Sequence, residues 1–149
     1  MRLDALHGQR VYLDSNALIY AMEGDPARQP VSVTALMRAI SSGQVLAYAS
    51  LLVRAEVLVM PVRKADKARV KFYRRLFDAP APLRSAPLTA TVADASARLR
   101  AQHPALRLID ALHLAAAQES ACKFFLSADQ HLRAAAKGRI TIIAYEDLD

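Results

Sequence analysis

Short apolar runs alternate with helical segments along this chain, and that alternation restricts the fold more than any other feature. The runs Arg10-Val11-Tyr12-Leu13, Val45-Leu46-Ala47-Tyr48-Ala49, Lys123-Phe124-Phe125-Leu126 and Ile140-Thr141-Ile142-Ile143-Ala144 are short and mostly apolar on both alternating faces. Each reads as a strand buried on two sides. Helical patterns fill the intervals: from Asn16, over 31–40, over 51–60 with Ser50 as N-cap, through a basic segment ending near Phe77, from Thr89 or Thr91 to Gln102, over 106–121 and over 130–137. Pro61 predicts the boundary between the apolar helix and the basic one. The Pro-rich stretch 79–87 reads as a loop or irregular edge, with a third strand placed at 86–88. Strands joined through helices run parallel and are covered on both faces. The expectation is therefore an α/β chain, a three-layer α/β/α sandwich around a central parallel sheet of four to five strands.

The 149 residues, 54% of them hydrophobic, suffice to bury one core without disulfide or metal staples, so a single domain spanning 1–149 is expected. No repeat, low-complexity tract or interdomain linker interrupts it. The lone Cys122, beside Ala121 and near Phe125, reads as a small core residue in a reducing compartment. The start of the chain lacks the apolar stretch of a signal peptide, and no apolar run approaches the roughly 18 residues of a membrane span. A soluble, cytoplasmic protein is the expectation. A net charge of +6 favours a polyanionic partner, because counterion release drives association with phosphate backbones. The basic density peaks between Arg63 and Arg75, where Arg63, Lys64, Lys67, Arg69, Lys71, Arg74 and Arg75 face only Asp66. On its own, such a run also describes a solvated helix face.

Four carboxylates stand where they are costly. Asp14 and Asp129 follow the carboxyl ends of two predicted strands, the edge at which open parallel sheets hold their functional crevice. Glu56 and Asp110 interrupt helices with almost no polar face, where an unpaired carboxylate costs several kcal/mol of desolvation. Each acid has a local explanation, as a helix cap for Asp14 and Asp129, or as a partner of a nearby arginine for Glu56 and, through Arg107, for Asp110. If the four converge, their mutual repulsion requires a compensating cation. Oxygen ligands without a Cys or His cluster favour Mg2+ or Mn2+ over zinc. Such an ion activates water for in-line attack on a phosphodiester.

The segments carrying these acids resemble the motifs of the PIN-domain family, in particular its VapC-like toxins. The resemblance rests on Val11-Tyr12-Leu13-Asp14-Ser15-Asn16-Ala17-Leu18-Ile19-Tyr20, Ala49-Ser50-Leu51-Leu52-Val53-Arg54-Ala55-Glu56-Val57-Leu58, Asp110-Ala111-Leu112-His113-Leu114-Ala115-Ala116-Ala117 and Phe125-Leu126-Ser127-Ala128-Asp129. It covers nearly the whole chain, with the motifs in order. It implies a metal site made by Asp14, Glu56, Asp110 and Asp129, supported by Asn16 and Ser127, the last a departure from the commoner Thr that keeps the hydroxyl. It further implies an Mg2+- or Mn2+-dependent endoribonuclease, the toxin of a toxin–antitoxin pair, working as a homodimer with a cognate antitoxin. Arg63, Lys64, Lys67 and Lys71 are candidates for gripping RNA, although the same surface could face the antitoxin. His113, three residues after Asp110, reads first as a packing residue and second as a contact to metal or phosphate.

Other readings fit less well. A haloacid-dehalogenase-type phosphatase needs a second acid where Asn16 stands, and a receiver domain needs a lysine after a later strand, whereas Lys123 precedes its strand. A catalytically silent PIN-like module that binds RNA or protein is the stronger alternative, with retention of all four acids against it.

Overall fold

The computed structural model describes all residues from Met1 to Asp149. Its strands are β1 (Arg10–Leu13), β2 (Leu46–Ala49), β3 (Arg84–Ser85), β4 (Phe124–Leu126) and β5 (Thr141–Ile143). The helices are α1 (Ser15–Glu23), α2 (Val31–Ser41), α3 (Leu51–Arg63), α4 (Lys67–Phe77), α5 (Ala90–Gln102), α6 (Leu108–Glu119) and α7 (Leu132–Ala136). All strand pairs are parallel, and the sheet runs β3-β2-β1-β4-β5. The expected α/β/α sandwich is thus the observed one, with five strands.

The central strands are apolar on both faces because both faces are covered: Val11, Tyr12 and Leu13 of β1 and Phe124, Phe125 and Leu126 of β4 are all buried. Tyr12 stacks on Phe125 in the next strand, ring centroids 5.0 Å apart. One cluster of 38 buried hydrophobic residues joins this sheet to the helices. No helix is long and apolar enough to cross a membrane.

Two boundaries differ from expectation. The helix does not stop at Pro61, which lies buried inside α3; so near the end of the helix, a proline forfeits little more than one backbone bond. The break falls instead at Ala65, which takes a left-handed φ of 52°, and at Asp66, whose carboxylate caps α4 by accepting from Arg69 N–H. The edge strand is Arg84–Ser85 rather than 86–88. Ala86 N–H still donates to Ala49 O at 3.0 Å, but Pro87 has no N–H with which to extend the ladder.

The apolar character of α3 also means something other than full burial: Leu51, Val59, Met60 and Val62 are exposed large hydrophobics. Cys122 is buried as expected, and burial pushes its thiol up to about 12. A thiol raised above its unfolded value of roughly 8.5 favours the fold fully below that pH and loses the contribution as pH climbs toward the folded value. At pH 8, alkylation of Cys122 by iodoacetamide should therefore be slower in the native protein than in denaturant by more than about tenfold. Equal rates would show that the thiol is not buried in solution.

Candidate active site

The parallel register decides which acids meet. Leu13 pairs with Leu126, and Asp14 N–H donates to Leu126 O at 3.1 Å, so the residues that leave β1 and β4 lie side by side at the carboxyl edge of the sheet. There the Ser127 hydroxyl donates to Asp14 Oδ2 at 2.7 Å and accepts from Asp129 N–H at 3.0 Å. Asp14 Oδ1 accepts from Ser15 at 3.3 Å, and Asp129 Oδ1 accepts from His131 N–H at 2.9 Å. Ser127, buried at 1% exposure, joins the two sides of this corner.

Helix α6 reaches the same edge from below. Its last residues adjoin the start of β1, where Arg10 donates to Ser120 O at 3.0 Å, so its first turn, with Asp110, points to the carboxyl end. Helix α3 leaves β2 at that end and carries Glu56 one turn and a half along. The two helices are tied by His113 Nε2 to Glu56 Oε1 at 2.6 Å.

A carboxylate only accepts, so His113 Nε2 carries a proton; in the neutral ring Nδ1 then accepts from Tyr12 Oη at 2.7 Å. Tyr12 in turn meets Ser50 Oγ at 2.8 Å. The result is a continuous line, Ser50 to Tyr12 to His113 to Glu56, linking β1, α3 and α6 through the core. Burial first, and then the charges of Asp14 and Glu56, push the Tyr12 hydroxyl above its usual range, which keeps it neutral and able to donate. His113 is 3% exposed with both ring nitrogens engaged, so it is a packing residue that also holds an acid. Nothing in the sequence distinguished Tyr12 or Ser50 from other strand and cap residues, and only the period-two spacing puts Tyr12 on the same side as Asp14.

Asp110 is held by Arg107, Nε to Oδ2 at 2.8 Å and Nη2 to Oδ1 at 3.3 Å, the local pairing that the sequence allowed. The Asp110 carboxylate, and after it the charges of Asp129 and Glu56, raise the Arg107 pKa above its ordinary value. Three of the four acids therefore act on one cation. Arg107, Asp110, Asp129 and His131 line a cleft of about 690 Å³ whose apolar wall includes Leu106 and Leu132.

No three His, Cys, Asp or Glu side chains stand close enough to hold a metal ion as a group. Each acid has its own partner instead: Ser127 for Asp14, His113 for Glu56, Arg107 for Asp110, and the His131 N–H for Asp129. The donor chemistry still fits a hard dication. The four acids offer oxygen only, the single histidine among them has no free nitrogen, and the exposed Arg107 guanidinium already stands as a positive charge against Asp110.

The basic residues fall elsewhere. None of Arg63, Lys64, Lys67 and Lys71 lines the acidic cleft; Lys67 and Lys71, with Arg74 and Arg75, line a separate groove of about 650 Å³ between α3 and α4. Asn16 is exposed and shares the lining of a small second cavity with Ser127.

A parallel α/β sheet with acids gathered at its carboxyl edge is the class of protein that these features define. The family model for the PIN domain matches residues 11–138, and the chain belongs to the PIN-domain family. No curated protein matches the sequence. Among solved structures, the fold is similar to a chain of VapBC2 from Rickettsia felis bound to a DNA fragment from its promoter, at TM-score 0.68 and 13% identity, covering 91% of this chain and 98% of that one. It is similar also to a chain of FitAcB from Neisseria gonorrhoeae, at TM-score 0.65 and 16% identity over 91% and 98% of the two chains. A toxin–antitoxin complex from Klebsiella pneumoniae gives TM-score 0.61 and 18% identity over 91% and 97%. Identities this low carry the fold alone; a nuclease-type role rests on membership of the family.

Proposed function

We propose that this chain is an endoribonuclease dependent on Mg2+ or Mn2+, the toxin of a toxin–antitoxin pair, with Asp14, Glu56, Asp110 and Asp129 as the acids that hold the ion. The observation carrying this reading is geometric: at the carboxyl edge of the sheet the Ser127 hydroxyl bridges Asp14 and the Asp129 backbone, and Asp129 lines one cleft with Asp110. The chemistry that such an ion supplies when bound is activation of water and neutralisation of charge at the phosphoryl oxygens.

The protein's own groups do the positioning. Ser127 and Ser15 fix both oxygens of Asp14, and buried His113 fixes one oxygen of Glu56, whose side chain stays 40% exposed. Arg107, with a side chain 73% exposed, is free to leave Asp110 for an RNA phosphate, which its planar fork binds through two parallel hydrogen bonds. Lys67 and Lys71 in their groove, with Arg63 and Lys64 at the end of α3, extend the grip on the backbone. The Klebsiella pneumoniae neighbour is a toxin–antitoxin complex by name, which supports an antitoxin as partner. Exposed Leu51, Val59, Met60 and Val62 on α3 give a homodimer or that antitoxin an apolar surface to cover.

Incubation of the purified protein with total RNA tests the reading. Cleavage is expected with Mg2+ or Mn2+ and is expected to vanish with EDTA and return on adding either ion. The second reading, a silent RNA- or protein-binding module, has one observation in its favour, that no three acids share a position as they stand. Salt-dependent RNA binding without cleavage in either metal would establish it instead.

A further inference from the structure

Beside the acidic corner, and lined by none of the four acids, lies a second cavity of about 310 Å³. Its lining includes Asn16, Tyr20, Leu126, Ser127, Tyr145 and Glu146. At that volume it stands at the small end of ligand sites, room for one base or nucleoside. The walls are mostly apolar, and two aromatic rings form one side, Tyr20 and Tyr145, with centroids 5.8 Å apart and planes at 40°.

The two tyrosines differ in a way that suits a stacking platform. Tyr145 is buried and its hydroxyl donates to Ala17 O at 3.0 Å, so that ring is fixed to α1. Tyr20 remains 38% exposed and presents its ring to whatever enters. Two exposed polar side chains line it, Glu146 and Asn16. Asp147 is committed to Ala144 N–H and to Arg133. Its neighbour Glu146 is exposed and takes part in none of the intramolecular ion pairs. Asn16 adds an exposed amide that can both donate and accept.

We propose that this cavity is a base-recognition subsite, in which an unpaired RNA base next to the cleaved phosphate stacks on Tyr20 and is read by Glu146, with guanine preferred. The position follows from Ser127, which backs the cavity while its hydroxyl holds Asp14. A nucleotide whose phosphate reaches Asp14 therefore has its base within reach of the two rings. Proteins read single-stranded RNA by stacking splayed bases on aromatic side chains and bonding their edges. A carboxylate only accepts, so Glu146 selects a base edge made of donors. Guanine offers two adjacent donors, N1–H and the 2-amino group, on one edge, and uracil offers only N3–H. The inference rests on the RNA-cleaving reading above for its choice of ligand.

The experiment is fluorescence anisotropy in EDTA with labelled hexauridylate and the same hexamer carrying one central guanine, beside a cleavage assay on total RNA with Mg2+. The guanine hexamer is expected to bind on the order of tenfold tighter than hexauridylate. Tyr20→Ala should weaken the guanine hexamer by a similar factor, and E146Q should narrow the gap between the two hexamers. Both positions are exposed, and thermal melting will show that the variants fold. Equal binding of the hexamers, or a guanine preference unmoved in both variants, overturns the subsite even if total RNA is cut. A guanine preference that the variants abolish, in a protein that cuts nothing, keeps the subsite and removes the nuclease reading. Failure to bind either hexamer removes the subsite as well.

Discussion

In a total-RNA assay with Mg2+, the Asp14→Asn protein is expected to cut at least about 100-fold more slowly than wild type, with a thermal unfolding midpoint unchanged or slightly higher. The expectation of an intact fold comes from the local bonding. The Asp14 side chain makes no cap bond to α1, and it only accepts, from Ser15 and Ser127. Asparagine keeps one acceptor oxygen for Ser127, while the lost charge removes repulsion within the acid group. Asp110→Asn should behave alike. It releases Arg107, whose own side chain is largely exposed, from a solvent-screened pair, so little stability goes with it. Isothermal titration with Mn2+ supplies a readout apart from cleavage: both variants should bind the ion more weakly. Full cleavage in either folded variant would reject the assigned acids.

His113→Ala should cost stability and activity together. The ring is buried, lies edge-on to Tyr12 with centroids 5.8 Å apart, and holds two hydrogen bonds. Removing it leaves a cavity and takes one partner from a buried hydroxyl, a loss of about 2–4 kcal/mol. For a chain of this size that lowers Tm by roughly 5–12 °C. Tyr12→Phe removes only the hydroxyl and should cost about 1–3 kcal/mol, since Ser50 and His113 both lose their mutual partner. The reason for pairing the two variants is Glu56, 40% exposed and held only by His113. If the line from Ser50 positions that acid, His113→Ala will weaken Mn2+ binding at temperatures where the variant is fully folded, and His113→Gln, which keeps a donor, will recover part of it. A variant that is merely less stable, with unaltered ion affinity, would limit His113 to packing.

The elements were legible because each is a local pattern. Residues buried on both faces read as continuous apolar strands, and 31–40 shows its helix by spacing alone. The two misplaced boundaries were decided by neighbours. Pro61 stays helical because it is buried within α3, and the third strand sits at Arg84–Ser85 because Ala49 and Tyr48 of β2 meet it there. That several apolar residues of α3 are exposed was not legible for a related reason, since composition does not tell a core-facing stripe from one left to solvent.

For the site, the chain order supplied the four acids and the hydroxyl at Ser127, because a charge in an apolar context is conspicuous in one dimension. Their partners were not conspicuous. Glu56 and His113 are 57 residues apart, and Tyr12 and His113 are 101 apart, so only the packing of α3 and α6 on β1 brings them into one line. The basic residues show the reverse case: dense in sequence, they lie apart from the cleft because α4 carries them to its own groove. Sequence by itself determined the sheet's apolar strands and the identity of the acids, since both depend on what a residue is and on its near neighbours. Tertiary structure alone decided which partner each acid keeps, because repulsion among like charges and contacts between distant elements exist only once the chain has folded.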